Sequence, residues 1–453
     1  MDSAFAIADS ALNAQQTEIA ITSENVANAQ TPGYSTETAN LKTLPGGETG
    51  GGVEVASIAQ SQNLMLATNA RQASGALSNL TALQHVMTGI QNVFPLGQTT
   101  SSSSSSTTTN TGLAGQLANF WSAWDAVAQD PSGSAPRTEV VNLAQGLSTT
   151  LQESSVQLAQ LSANGVTELG DQVTQINSLL GEVGKLNSAV VQTEGAAGNP
   201  DAIEDQMQSV LGQLSQLAGV NVSYAADHTA NVTVGGVSLV QEANVSNVSL
   251  VDNAGSYSLE SNPGAVPLGI SSGSAAGLLA GLNQYIPQFQ GDLNDVADTL
   301  SATVNGQLAA GFTAAGAPGG PLFTGTGAAN IGVAAAIVAD PSLIAASSTA
   351  GAAGANDGSN AQVMAEFASS QTGADSRYQN LVQSVGSITE NVNTQVSAQG
   401  AVANQAQSAL QSATGVNLDQ ELTHLMSFQA NYQASAKLLT VIDATMQSLL
   451  QAV

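Results

Sequence analysis

The last stretch of the chain, LDQELTHLMSFQANYQASAKLLTVIDATMQSLLQAV (418–453), carries the strongest folding constraint in the sequence. Leu418, Leu422, Leu425, Phe428, Tyr432, Ala436, Leu439, Ile442, Met446, Leu449 and Val453 recur at spacings of three and four, the period of one helix face. Asn417 is placed to cap this helix, with Gln420 three residues on, and Asp419 and Glu421 lie at its positive end. So long a seam with so little charge cannot stand alone in water. It must be covered by another apolar surface, and the two candidates are the first helix of the chain and copies of the chain itself.

The opposite end is weaker. Residues 3–29 repeat Phe5, Ala8, Leu12, Ile19 and Val26 at near-heptad spacing, with Gln15 and Thr22 interrupting. Such a helix is marginal in isolation. It should stop before Pro32, whose ring pushes Thr31 towards extended geometry, and Pro32-Gly33 suits a tight turn. With nothing to cover their apolar faces, the first ~30 and last ~35 residues of a free monomer are expected to be disordered or only transiently helical.

At 453 residues the chain has room for two to four domains. Apolar residues make up 42% of it, but much of that is Ala and aromatics are only 4%, which favours thin helical bundles over one thick core. The formal net charge is −27, from 33 acidic residues against six Lys and Arg. That balance repels phosphate backbones and argues against nucleic acid or an anionic membrane as partner. There is no Cys, so disulfides, thiolate metal sites and thiol catalysis are excluded. The N-terminal stretch lacks a basic region followed by an apolar run, and no stretch of about 18 apolar residues occurs, so neither a cleaved signal nor a membrane span is expected.

The interior alternates between helical and strand periods. Residues 40–56, with GG and GGG, suit a loop and a short strand, and 58–93 suit a helix. The tract TTSSSSSSTTTNTG (99–112) is low in complexity and suits an exposed loop. From 140 to 191 a seam of Val140, Ala144, Leu147, Leu151, Leu158, Leu161, Leu169, Val173, Ile176, Leu180, Val183 and Val190 has coiled-coil-like spacing, loosened by Gly165, Gly170, Gly181 and Gly184. A helix follows at about 200–218. The period then falls to two. Val232, Val234, Val237 and Leu239 flank Gly235-Gly236, a hairpin signal, and short strands continue to 270. Helical spacing resumes over 275–310, then a Gly/Pro-rich loop at 311–328, then a helical tract at 360–412.

Catalytic signals are weak. His85, His228 and His424 are far apart and lack metal-ligand spacing, and no phosphate-binding loop or nucleophile elbow occurs. Asp292, Asp295 and Asp298 suit a solvated helix face better than a metal site, and Asn356-Asp357-Gly358 suits a turn. Trp121 and Trp124, three apart beside Phe120, suit a hydrophobic anchor between helices better than a ligand site. Neither enzyme activity nor a cofactor or metal is expected.

Taken in order, six segments resemble the flagellar hook-associated protein 1 family. They are NVANAQTPGYS (25–35), FWSAWDAVAQDPSGSAPRTEVVNLAQGLS (120–148), QINSLLGEVGKLNSAVV (175–191), AGLLAGLNQYIPQFQGDLNDVADTLSATVNGQL (276–308), DPSLIAAS (340–347) and GVNLDQELTHLMSFQANYQASAKLLTVIDATMQSLL (415–450). The first and last are shared in part with rod and hook proteins; the interior segments favour this family. Two departures stand out: Asp205-Gln206-Met207-Gln208 replaces an Asp-Gln-Arg-Asp run, and the strand-rich insert is short.

The resemblance implies a mainly α protein with a small β domain and terminal coiled-coil-like helices. Residues 1–45 and 413–453 would form a terminal assembly domain. Residues 46–216, 271–310 and 345–412 would form a helical rod, and 217–270 with 311–344 an outer β-rich domain. It implies a secreted, extracellular subunit of the bacterial flagellum, exported by the type III route. Its partners would be copies of itself in a ring, hook protein on one side, a second junction protein (hook-associated protein 3) on the other, and a cytosolic export chaperone at the C-terminal region. Assembly contacts would fall on Phe5, Leu12, Ile19, Asn25, Val26, Asn28, Thr31, Pro32, Gly33 and Tyr34, and on Leu418, Leu422, Leu425, Phe428, Tyr432, Leu439, Ile442, Met446 and Leu449. The alternatives are a hook or rod subunit at another axial position, and a secreted adhesin using the β domain.

Overall fold

The structure, a computed structural model, describes residues 2–31, 33–45, 51–95, 112–196, 200–351 and 356–451. Pro32, nearly all of the Ser/Thr tract and Val453 lie outside these residues, as do the side chains of Asp2, Ser3, Leu449 and Leu450.

Helix α1 (Asp2–Asn28) leads into an antiparallel hairpin of β1 (Glu37–Thr43) and β2 (Val53–Gln60). Four helices follow: α2 (Leu64–Val93), α3 (Leu113–Gln129), α4 (Ser134–Gly195) and α5 (Asp201–Ala218). Next come β3 (Asn221–Tyr224), β4 (Ala230–Val234), β5 (Val237–Gln241) and β6 (Asn244–Val245), which form one antiparallel sheet in that order. A second sheet joins β7 (Asn247–Asn253), β8 (Ser256–Asn262) and β9 (Val266–Pro267). Then come α6 (Ser274–Ala280), a π turn at Gly281–Tyr285, and α7 (Ile286–Ala309). A compact connection holds β10 (Phe323–Thr324), α8 (Gly327–Asn330), β11 (Gly332–Val333) and α9 (Ala335–Ala339). The chain closes with α10 (Ser359–Glu366), α11 (Ala374–Thr414) and α12 (Leu418–Gln451).

One apolar core runs through everything from α2 to α11. Its fully buried members include Met87 and Ile90 on α2, Leu117, Phe120 and Trp124 on α3, Leu147 and Leu158 on α4, and Phe289 and Leu300 on α7. Phe120 is its aromatic centre, with ring centroids 5.0 Å from Trp121, 6.1 Å from Trp124 and 5.9 Å from Phe323. The expected aromatic anchor is therefore present, and Trp121 Nε1 also donates to Asp375 at 2.6 Å, tying α3 to the start of α11. Tight crossings need small residues. A Cβ on Gly277 would lie 2.2 Å from the Asn79 carbonyl oxygen, so α6 can approach α2 this closely only with Gly there.

The strands share this core rather than enclosing their own. Val232, Val234, Leu239, Val240, Val248 and Leu259 are buried in the same apolar cluster as α4. Two asparagines on α4 dock the sheets. Asn187 Oδ1 accepts from Ala230 N (2.8 Å) while its Nδ2 donates to the carbonyls of Ala230 and Glu242. Asn177 makes the same paired bonds with Val248, at 2.8 and 2.7 Å. The hairpin turn falls at Gly235-Gly236, both with positive φ (57° and 85°), as the sequence predicts.

Two boundaries differ from the sequence reading. The hairpin extends the terminal region to residue 60, because β2 pairs with β1 along its length and both lie against α1. Residues 311–344 do not join the sheets. They pack on α4 and α7, where Asn305 brackets Phe323 through its amide and the Gln152 side chain donates to the Ile331 carbonyl. Their apolar side chains Leu322, Phe323, Ile331 and Ile337 complete the helical core.

Candidate assembly interface

The two ends of the chain meet. Helix α1 lies between the β1–β2 hairpin on one side and α12 on the other, and none of its residues enters the main core.

Asn25 holds this terminal module together. It is 1% exposed and uses its whole amide. Its Oδ1 accepts from the Tyr34 hydroxyl (2.8 Å) and the Glu37 amide (2.9 Å). Its Nδ2 donates to the Glu37 carbonyl (2.8 Å) and to Glu421 Oε2 (3.1 Å). One side chain thus ties the end of α1 to the following loop, the first strand and the first turn of α12. Such a fully satisfied buried amide fixes a geometry more firmly than apolar contact alone. The loop itself is local: Thr31 N bonds the Asn28 carbonyl, the Thr31 hydroxyl bonds Asn28 Oδ1, and Tyr34 N bonds the Thr31 carbonyl. Gly33 supplies the positive φ, 87°, that this reversal requires. Burial, reinforced by Glu37, Glu24, Asp205 and Glu421, raises the Tyr34 hydroxyl far above its ordinary range, so it stays a donor.

The start of α12 is capped as expected, with Asn417 Oδ1 accepting from Asp419 N (3.1 Å) and Gln420 N (3.4 Å). Ile442 is buried, and Leu425, Phe428, Tyr432, Leu439 and Met446 are partly covered. Tyr432 accepts from Gln16 Nε2 of α1 at 3.2 Å. On α1, Leu12, Ile19 and Val26 are half-buried, while Ala8, Ala14, Ile21 and Thr22 are buried. Leu418, Leu422 and Phe5, placed in the same seam by sequence spacing, are instead 44–48% exposed. At 100° per residue, Leu422 lies well round the helix from Ile442. The expectation that nothing covers the terminal helices is corrected: each covers part of the other.

The cover is thin and incomplete. Gln15 Oε1 and Glu18 Oε2 on α1 are buried with no hydrogen-bond partner, and burial raises the Glu18 carboxyl above its usual range. Unpaired buried polar atoms cost about 1–3 kcal/mol each. A second apolar face of α12 is bare. Met426, Ala430, Ala434 and Leu438 recur every fourth residue on it, Val441 continues it, and Met426 is 65% exposed. The sequence reading missed this face because it followed a single stripe.

Other candidates fall away. Asp298 accepts from Gly327 N, Asp295 pairs with Arg377 at 3.7 Å, and no cluster of three or more His, Asp or Glu able to hold a metal occurs among the described residues. No described helix is long and apolar enough to cross a membrane.

Known proteins match along the whole length. The family model for the flagellar hook-associated protein FlgK helical domain matches residues 101–323. The flagellar basal body rod FlgEFG protein C-terminal model matches 406–452, and the flagella basal body rod protein model matches 5–34. Flagellar hook-associated protein 1 of Bacillus subtilis (strain 168) is 25% identical over 492 aligned positions, covering 96% of this chain and 94% of that protein. Its counterpart in Escherichia coli (strain K12) is 25% identical over 557 positions, covering 99% of this chain and all of that protein. That alignment is longer than the 453 residues present here, so the relative carries segments this chain lacks. The structure of the flagellar hook junction protein FlgK from Burkholderia pseudomallei superposes with a TM-score of 0.66 at 17% identity, over 76% of this chain and 100% of that one, and shares the fold. These matches fall in chain order, with long terminal helices flanking the helical body, and make the chain similar along its length to the flagellar hook-associated protein 1 family.

Proposed function

We propose that this chain is a non-catalytic structural subunit of the bacterial flagellum that forms the junction ring between hook and filament. The bare face of α12, at Met426, Leu438 and Val441 with Leu418 and Leu422 beside it, is the observation that carries this reading. Each large apolar side chain fully buried there on assembly would contribute about 1.5–3 kcal/mol. A face repeated on every copy makes a heterologous contact, which closes into a ring when the rotation allows.

In this reading the terminal helices line the inner wall of the tube, the helical rod lies outside them, and the strands face solvent. Hook protein binds on one side and hook-associated protein 3 on the other. The subunit leaves the cell by type III export, with a cytosolic chaperone on its C-terminal helix until release. Thin cover over α1 and α12 supports this route, since paired helices that bury few large side chains open and re-pair at low cost.

The test is a strain lacking this chain, scored by motility and electron microscopy. Hooks without filaments, with flagellin shed into the medium, are expected. Normal filaments would refute the junction role.

A further inference from the structure

The chain has six bases, and five of them have an acceptor close at hand in the same molecule. Arg71 on α2 is buried and donates to Gln208 (2.6 Å) and Thr68 (3.1 Å). Arg137 at the start of α4 is buried against the carbonyls of Pro131, Ser342 and Ile344. Arg377 on α11 pairs with Asp295 at 3.7 Å. Lys42 on β1 stands opposite Glu54 on β2, and Lys185 on α4 has Glu182 one turn before it. Lys437 on α12 has no such neighbour. The residues three and four positions away are Gln433, Ala434, Thr440 and Val441, and no ion pair reaches Lys437 among the described residues.

Its place on the helix is specific. At about 100° per residue, Leu422, Met426, Ala430, Ala434, Leu438 and Val441 span an arc of about 160° on α12, and Lys437 falls near the middle of it. Lys437 is exposed, as all six of these residues are, and it stands roughly opposite the partly covered Phe428 and Leu439. The carboxylates of α12 are elsewhere. Glu421 is buried and accepts from Asn25 Nδ2. Asp443 accepts from Gln447 Nε2 (3.2 Å) and lies about 120° round the helix. Asp419 shares the line of Lys437 but is five turns, about 27 Å, away. The bare face is therefore apolar with one ammonium at its centre.

We propose, building on the assembly role given above to this face, that Lys437 selects what covers it: a second copy of this chain, which sets an Asp or Glu against the ammonium. Covering the face without a carboxylate would bury a bare ammonium, a cost that outweighs the gain from burying Leu438 and Val441 beside it. A surface that supplies a carboxylate at that point removes the cost. The chain itself is such a surface, with 33 acidic residues against six bases. Two copies, each with a net charge of −27, otherwise repel one another. One matched pair inside an apolar contact thus fixes the register, because every other register leaves Lys437 unpaired. The contact is heterologous, since the bare face holds no carboxylate of its own near Lys437.

The scarcity of lysine makes the test direct, since Lys42, Lys185 and Lys437 are the only three in the chain. Carbodiimide joins an amine to a carboxylate that touches it. Hooks with their filaments, isolated from cells that make the wild-type chain, are treated with it, and the linked peptides are identified by mass spectrometry. A covalent dimer of this chain, joined from Lys437 to an Asp or Glu of the other copy, is expected. Lys437→Arg keeps the charge but cannot couple, so the dimer should vanish while filaments still grow. Lys437→Glu should leave hooks bare of filaments, with the urea midpoint of the purified chain unchanged because the side chain is exposed in the monomer. Coupling of Lys437 to a different protein, or no coupling at Lys437, overturns the second copy as occupant. Filaments of normal length on Lys437→Glu hooks overturn the role of the charge. Neither result touches the junction role itself, which is refuted only by normal filaments in the strain lacking the chain.

Discussion

Helices α4 and α12 are both long, both seamed with apolar residues and both nearly free of bases, yet they sit in opposite circumstances. Val140, Ala144, Leu147, Leu151, Leu158, Leu169, Ile176, Leu180, Val183 and Val190 on α4 are all buried, because α2, α3, α5, α7 and both sheets close around it. On α12, only Glu421 and Ile442 are buried among the described side chains. One seam has been satisfied within the chain; the other has been half satisfied and left open. Apolar spacing says that a helix will be covered, and says nothing about whether the cover comes from the same molecule.

The difference can be broken at graded strengths. Phe120→Ala removes the ring at the centre of the core and should lower stability by about 3–5 kcal/mol in urea unfolding. A loss below about 1 kcal/mol would mean that the core around Phe120 is loosely packed. Next comes Arg137→Met. This buried guanidinium donates to the carbonyls of Pro131, Ser342 and Ile344, pinning the start of α4 to the segment after α9, and burial lowers its pKa. Leaving those carbonyls unpaired should cost about 3 kcal/mol, again seen in the unfolding midpoint.

Asn25→Ala separates the two regions. The rod should unfold at the wild-type midpoint, while amide exchange speeds up in α1, β1 and the first turns of α12 by an amount equivalent to about 1–3 kcal/mol. A matching drop in global stability would show that module and rod are one cooperative unit. Smallest of all should be Trp124→Phe. The Trp124 indole N–H is buried without a hydrogen-bond partner, so removing it should leave stability within about 1 kcal/mol of wild type, or raise it.

Much of this was legible in the sequence, and the reasons for the rest are physical. The Gly235-Gly236 turn, the aromatic group at Phe120, Trp121 and Trp124, and the Asn417 cap each carry a local signal. The β1 strand carries none. ETANLKT is mostly polar and exposed, and its form comes from α1 and β2 rather than from alternation. Asn177 and Asn187 look like ordinary polar positions in a helical seam, yet they dock the sheets. The bonds that Asp205 accepts from Ser35 and Gln60 join residues far apart in the chain, which no local pattern reveals. Among the terminal contacts, Asn25 and Tyr34 do meet, whereas Leu418 and Leu422 lie away from the α1 seam.

If the bare face of α12 serves assembly and not the fold of the monomer, charges placed on it leave stability intact and prevent filament growth. Leu422→Asp combined with Leu438→Asp tests it most directly, with the purified chain followed in urea and the same variant returned to a strain lacking the protein. The unfolding midpoint should match wild type, and the hooks should carry no filaments. Filaments of normal length on those hooks would contradict it.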